Sequence, residues 1–266
     1  GNNRTRDEVI RREFRQYEAA WYDGDKIRLS RDRVDRLGFF TEVNVETMEI
    51  PGAPDQVDLM FTVAEKPTGS ISLGAGFSSA EKVTLSFGIR QENAFGSGNY
   101  LAVEVNTSKY NRNLVLSTTD PYFTQNGISR TIDVFQRTTR PYLGDINSYS
   151  LVNSGLGLRF GVPVTETDTV FVGANAEQTQ IKSGTGLPYP YQKYADDFGA
   201  TSTALPLTLG WARDGRDSAL VPSKGTYQRL NADLSLAGDV RYFRSNYQYQ
   251  QYFPLSKKYT LAINAD

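Results

Sequence analysis

Two residue types that carry much of side-chain catalysis are missing from this chain: its 266 residues include no His and no Cys. That excludes a zinc centre built on imidazole or thiolate. It also excludes the Ser-His and Cys-His nucleophile pairs that hydrolyse lipid or peptide. The remaining candidates are weak. Asp196-Asp197 could offer two carboxylates to a hard cation, but adjacent acids in a polar loop read more simply as solvated charge. Lys182-Ser183-Gly184-Thr185-Gly186 has the residue types of a phosphate loop without its order or spacing. Asn106-Thr107-Ser108 is a glycosylation sequon, but it falls on a predicted strand and carries no weight. Arg213, Asp214, Arg216 and Asp217 place alternating charges within one turn, where ion pairs would brace the backbone. Barrel enzymes that hydrolyse lipid or peptide with a catalytic His are excluded for this span.

The elements that position these residues follow two different grammars. In residues 1–66, Ile10, Phe14 and Tyr17 recur at helical spacing within 6–18. Thr5 is a candidate cap, with Glu8 three residues on. Residues 26–37 form a second helix candidate with Ile27, Val34 and Leu37 as its stripe and Gly38 as its stop. Residues 39–50 and 57–63 alternate as two strands about a Pro51-Gly52-Ala53-Pro54-Asp55 turn. Helix, helix, strand, strand is a thin core for about 65 residues. An earlier strand, upstream of Gly1, is expected to complete the sheet.

From Gly69 onward the chain repeats one pattern. In 69–77, Ile71, Leu73, Ala75 and Phe77 alternate with Ser72, Gly74 and Gly76, which predicts a strand with one greasy and one wet face. The alternation returns about ten more times, ending in a strand that begins near Tyr259. A soluble sandwich alternates too, but Arg90, Glu104, Arg159 and Asp233 sit mid-strand, where a sandwich core would not accept them. The connections also sort by length. Phe95–Gly98, 120–127, 163–168, 214–225 and 253–258 are compact and mostly carry Pro, Gly or Asn signals. Arg140–Tyr149 and Lys182–Thr203 are longer. Short turns on one side and long loops on the other is the habit of an outer-membrane barrel. No apolar run is long enough for a transmembrane helix. The mean hydropathy of −0.47 cannot speak to a barrel, whose lipid-facing residues are diluted by lumen residues. A net charge of −1 gives no strong field directed at nucleic acid or anionic lipid.

Three N-terminal motifs resemble the BamA family of outer-membrane β-barrel assembly insertases. They are Arg11-Arg12-Glu13-Phe14-Arg15-Gln16-Tyr17-Glu18-Ala19-Ala20-Trp21, then Arg36-Leu37-Gly38-Phe39-Phe40, then residues 51–58. Residues 69–76, 93–98 and 217–225, with Asp120-Pro121-Tyr122-Phe123, resemble that family's barrel. The fold implied is an α+β POTRA domain over 1–66, the last of its series with its first strand missing. An antiparallel up-and-down transmembrane β-barrel follows over 67–266, incomplete at about eleven of sixteen strands. The family's Val-Arg-Gly-Phe loop and last strand would lie beyond residue 266.

The resemblance implies a role in folding and inserting other β-barrels by strand templating at a lateral gate. The barrel would sit in the outer membrane and the POTRA domain in the periplasm. Arg11 and Glu18 match positions that meet an accessory BamD-like lipoprotein. Seven residues apart, they would share one helix face. Gly69, Ile71, Leu73, Gly74, Gly76 and Phe77 would form the gate's first strand, entered through a hinge at Lys66-Pro67-Thr68. Its glycines either keep the edge weakly paired, or relieve crowding or permit a bend. Asp120, Pro121, Tyr122 and Phe123, with Arg216 and Asp217, would sit in periplasmic turns. Outer-membrane lipids, unfolded barrel clients and periplasmic chaperones are the implied partners, with no nucleic acid, cofactor or metal, and the resemblance implies that the chain is not an enzyme. A two-partner secretion or TamA-like pore of the same superfamily is the alternative, and a passive porin a more distant one.

Overall fold

The alternation after Lys66 is strand throughout the computed structural model, which describes residues 2–79, 81–140, 149–183, 187–217, 221–256 and 259–266. The N-terminal elements are α1 (Asp7–Arg11), α2 (Gly24–Arg36), β1 (Phe40–Ile50) and β2 (Ala53–Glu65). Eleven strands follow, interrupted by one helix. They are β3 (Gly69–Ser78), β4 (Lys82–Ala94), β5 (Asn99–Thr107), β6 (Asn111–Asp120), β7 (Ser129–Thr139), β8 (Tyr149–Pro163) and β9 (Asp168–Ser183). After α3 (Tyr189–Phe198) come β10 (Thr201–Asp214), β11 (Gly225–Gly238), β12 (Tyr242–Pro254) and β13 (Thr260–Ala265). The residues group into two compact units, Gly1–Ile71 with Ile89–Ala102 and Ser72–Gly88 with Val103–Asp266.

The first unit contains a conventional core. Val9, Ile10, Val34, Phe39, Phe40 and Val63 are buried together, with Phe14, Leu37 and Val43 packed against them. The second helix forms as its stripe predicts. Asp23 caps it by accepting from the Asp25 and Lys26 amides, and Gly38, at φ +73°, ends it in the left-handed region. The first helix is a correction. It stops at Arg11 instead of running toward Glu18, and Thr5 does not cap it. The Ser30 hydroxyl on α2 accepts from the Arg15 and Gln16 amides, and Phe14 stacks on Phe61 at 4.2 Å. Those tertiary contacts take the backbone out of the helix. Inside the turn, Glu13 is buried and pairs with Arg33 at 2.8 Å.

The second sheet is a meander in which every strand neighbours the next in sequence, from β3 at one edge to β13 at the other. The strand pairs from β6 through β13 are all antiparallel. The two faces divide as the alternation predicts. Leu205, Leu207 and Leu209 are 46%, 52% and 60% exposed, and Leu156, Leu158, Val172, Leu230 and Leu234 share their face. A continuous apolar surface of this extent belongs against lipid, not water. The opposite face holds the mid-strand charges: Arg244 pairs with Asp233 at 2.7 Å, and the Thr208 hydroxyl donates to Asp233 at 2.8 Å. The chain is thus an α+β N-terminal domain followed by an antiparallel, up-and-down sheet of eleven strands that does not close on itself. No helix among the described residues is long and apolar enough to cross a membrane.

The segment read as the long loop Lys182–Thr203 is corrected in part. β9 runs to Ser183, β10 begins at Thr201, and α3 lies between them, opened by Pro188 and Pro190. Tyr191, Tyr194 and Phe198 mark its inner stripe. The Tyr194 hydroxyl meets buried Ser202 at 2.8 Å, and the Tyr191 ring packs on Tyr149 at 5.2 Å. The centre of the Arg140–Tyr149 loop and Gly184-Thr185-Gly186 lie outside the described residues.

Candidate functional site: the first sheet strand and its junction with the N-terminal domain

β3 is an edge strand whose ten residues are all exposed. Ile71, Leu73 and Phe77 are 71%, 79% and 76% exposed, so its apolar face is bare as well as its outer edge. An unpaired row of backbone donors and acceptors is a template for another strand. The small residues on its other face answer a packing need. A Cβ on Gly74 would lie 2.3 Å from the Ser86 hydroxyl oxygen, and one on Gly76 would lie 3.1 Å from that of Thr84. The pattern reverses one step along, where a Cβ on Gly88 would lie 2.6 Å from Ser72 Oγ. Small faces hydroxyl at each level, so relief of crowding is the reading the geometry favours. Gly69 belongs to the same scheme, with its missing Cβ 2.2 Å from Gln91 Oε1.

The connector Lys66-Pro67-Thr68 is held at both ends. The Lys66 amide donates to Phe39 O at 3.0 Å, and the Glu92 amide to Thr68 O at 3.0 Å. Gln91 Nε2 adds a bond to the Thr68 hydroxyl at 3.2 Å. A short strap, residues 3–6, crosses beside it. The Glu65 carboxylate at the end of β2 accepts from the amides of Asn3, Arg4 and Thr5 at 2.6–3.2 Å. The Thr5 hydroxyl accepts from Asn93 Nδ2 at 2.9 Å, and the Arg6 amide donates to Gly96 O at 2.9 Å. Buried Asn93 uses its own oxygen to hold the Gly98 amide at 2.7 Å. The turn Phe95–Gly98 is thus latched to the N-terminal domain.

Burial alone would raise the Glu65 pKa. The amides of Thr5 and Asn3, the Thr5 side chain and the Arg4 amide outweigh it and lower the pKa to about 2, from 4.5. Because the folded value is depressed, the latch contribution is full above pH 4.5 and is lost as pH falls from 4.5 toward 2. Glu65→Gln should lower domain stability at neutral pH by about 1–2 kcal/mol, reduced because the carboxylate is partly in water. The two proteins should converge as pH approaches 2. Acid unfolding of the full-length protein, followed by protease susceptibility of the strap, measures this.

Arg11 and Glu18 come together, though not on one helix face. With α1 ended, the chain doubles back and Arg11 Nη1 meets Glu18 Oε1 at 2.9 Å. Both side chains are exposed, and such a pair contributes little to stability. Tyr17, Trp21 and Tyr22 are also exposed in this segment, Trp21 at 94%. Asp120-Pro121-Tyr122-Phe123 forms a structured turn in which Asp120 Oδ1 accepts from the Tyr122 amide at 3.1 Å. Arg216 grips Asp214 through two bonds of 2.8 and 2.7 Å and stacks over Tyr227. Asp217 accepts from the Ser223 and Lys224 amides at 2.9 and 3.1 Å. Residues 218–220 lie outside the described residues. No cluster of three or more Asp or Glu side chains fit for a metal occurs among the described residues, and Asp196-Asp197 is exposed on α3.

Glu65 was not legible as a site residue, because its partners lie 60–62 positions away. Asn93 could have been flagged: Asn followed by Gly at three and five positions is the signature of a side chain organising a turn.

Comparisons with known proteins agree along the chain. Residues 1–66 match the POTRA family described as a surface antigen variable number repeat, and residues 93–265 match the Omp85 superfamily domain. The chain is 37% identical, over its full length, to the outer membrane protein assembly factor BamA of Neisseria meningitidis serogroup B. It is 27% identical over 98% of its length to that of Nitratidesulfovibrio vulgaris. It spans about a third of those relatives, 35% and 32%. Among solved structures, BamA from Haemophilus ducreyi lacking POTRA domains 1–3 superposes with a TM-score of 0.71 at 26% identity. That match covers 99% of this chain and 52% of the other. CdiB from Acinetobacter baumannii shares the fold, with a TM-score of 0.58 at 10% identity over 98% of this chain and 49% of the other.

Proposed function

The chain belongs to the Omp85 superfamily, and we propose that it serves a BamA-like assembly factor that folds and inserts β-barrel proteins into the outer membrane. Its barrel strands sit in that membrane among lipids, and its POTRA domain lies in the periplasm. The observation that carries this reading is β3, a strand exposed along its whole length at the end of the sheet. A client strand gains backbone hydrogen bonds by adding to such an edge and buries its apolar face in lipid as it does so. No covalent step, cofactor or nucleotide is required, so the activity is mechanical and not enzymatic. Unfolded barrel proteins delivered by periplasmic chaperones are the clients. A translocation pore of the same superfamily would share this fold, but the assembly-factor relatives, alike over the whole chain, favour insertion. Depletion of the full-length protein decides between them. The insertase reading requires that other outer-membrane barrels then accumulate unassembled, and it fails if they assemble normally.

Arg11 and Glu18 are the proposed contact for a BamD-like lipoprotein. Because they pair with each other, a charge swap separates partner contact from fold. Arg11→Glu with Glu18→Arg retains the internal pair, so stability should stay within about 0.5 kcal/mol. Co-purification of the lipoprotein should nonetheless be lost. Undiminished co-purification would remove these residues from the interface.

A further inference from the structure

On the lipid-facing side of the sheet, an arginine on β7 stands where the alternation calls for an apolar residue; Arg213 does so on β10, but it lies 4.0 Å from Asp168. Arg130 shares its face of β7 with Ile132 and Val134 and sits opposite Phe160 of β8. Its guanidinium lies 4.2 Å from the centre of the Phe123 ring, which in turn packs 5.9 Å from Phe160. The Asp120-Pro121-Tyr122-Phe123 turn thus folds back to place a ring under the cation. Asp120 is the cross-strand partner of Arg130, yet it spends an oxygen on the Tyr122 amide, and no ion pair joins the two. Among the described residues Arg130 has no carboxylate within salt-bridge distance.

A cation held on an apolar sheet face, level with aromatic rings at the short-turn rim, needs an anion that arrives with hydrocarbon attached. We infer that Arg130, Phe123 and Phe160 form a binding site for the phosphodiester of a phospholipid in the leaflet at that rim. Phe123 fixes the guanidinium plane, so its outward N–H groups can meet two phosphate oxygens. The rings take the glycerol and upper acyl carbons, as aromatic side chains do at membrane interfaces. The apolar face is continuous with this site through Leu158 and Val172, which lets one lipid be held by its head and its chains together. The inference rests on the reading that this face contacts a bilayer.

The test is native mass spectrometry of the full-length protein released from detergent micelles. It is titrated with dioleoylphosphatidylglycerol and, separately, with dioleoylglycerol, which has the same chains and no phosphate. The parent should retain the phospholipid in preference. Arg130→Gln should weaken that first binding event about tenfold and Phe123→Leu about threefold, with dioleoylglycerol unaffected in both. Arg130→Lys, which keeps the charge and loses the planar stack, should fall between. It keeps the test readable if Arg130→Gln misfolds. The site is overturned if Arg130→Gln and Arg130→Lys bind phosphatidylglycerol as the parent does, or if millimolar inorganic phosphate displaces the lipid completely. If the parent itself retained neither lipid, it is the bilayer reading that would fail.

Discussion

Gly96→Ala is expected to undo the latch between the N-terminal domain and the turn Phe95–Gly98, at a cost of roughly 2–4 kcal/mol. Two effects add. Gly96 has φ +72°, a region an alanine enters only with strain. Its Cβ would also lie 1.9 Å from the Arg4 carbonyl oxygen, a backbone atom that cannot move without dragging the strap. The Arg6 amide, bonded to Gly96 O at 2.9 Å, is the reporter. Its hydrogen-exchange protection in the full-length protein should fall by roughly two orders of magnitude. Gly24→Ala is the control. A Cβ there meets nothing within 4 Å, and the first turn of a helix gains about 0.5–1 kcal/mol from the change. Unchanged protection in Gly96→Ala would mean that the strap is not what holds the turn.

Gly74→Val is expected to loosen β3 from β4 by about 1–3 kcal/mol, despite valine's preference for strands. The added Cβ falls 2.3 Å from Ser86 Oγ. A serine can rotate away from one carbon, but two further methyl groups need the same space. Ser86→Gly should restore the pairing, giving a coupling energy opposite in sign to the single-variant loss. The compensated pair also separates the two explanations for the glycines of β3. It has a stiffened strand and a relieved contact. If a weakly paired edge is what clients exploit, Gly74→Val with Ser86→Gly assembles clients more slowly than the parent. If crowding is the whole reason for Gly74, the pair matches the parent in assembly.

The strands were legible because lipid and lumen impose opposite demands on alternate residues, and period two survives any rearrangement of the surroundings. Ile71, Leu73 and Phe77 on β3, and Leu205, Leu207 and Leu209 on β10, are plain in that sense. The second helix was legible for a similar reason, its stripe and its terminal glycine both being local. What failed depended on distant partners. Phe14 and Tyr17 keep helical spacing, but the Ser30 hydroxyl and the Phe61 ring bend the chain after Arg11, and neither is a neighbour in sequence. α3 was hidden by its prolines, which open a helix as readily as they end one. The setting of Arg130 depends on a turn that folds Phe123 beneath it, which residue spacing does not show. The candidate site divides in the same way. The β3 face could be read from spacing, whereas the Glu65 cradle could not.

The latch also has a place in time. Its bonds join Glu65 to residues 60–62 positions away and Thr5 to Asn93 across 88, whereas Thr119 meets Thr131 across only 12. Closing a longer loop costs more entropy, and contacts of great separation are made late. Neighbouring strands can therefore zip together while the strap is still free. The strap settles only when the N-terminal domain and the β4–β5 turn have each taken their final shape. Its closure marks the completion of both, so the last bonds to form in this region certify that two separately built parts have been built correctly.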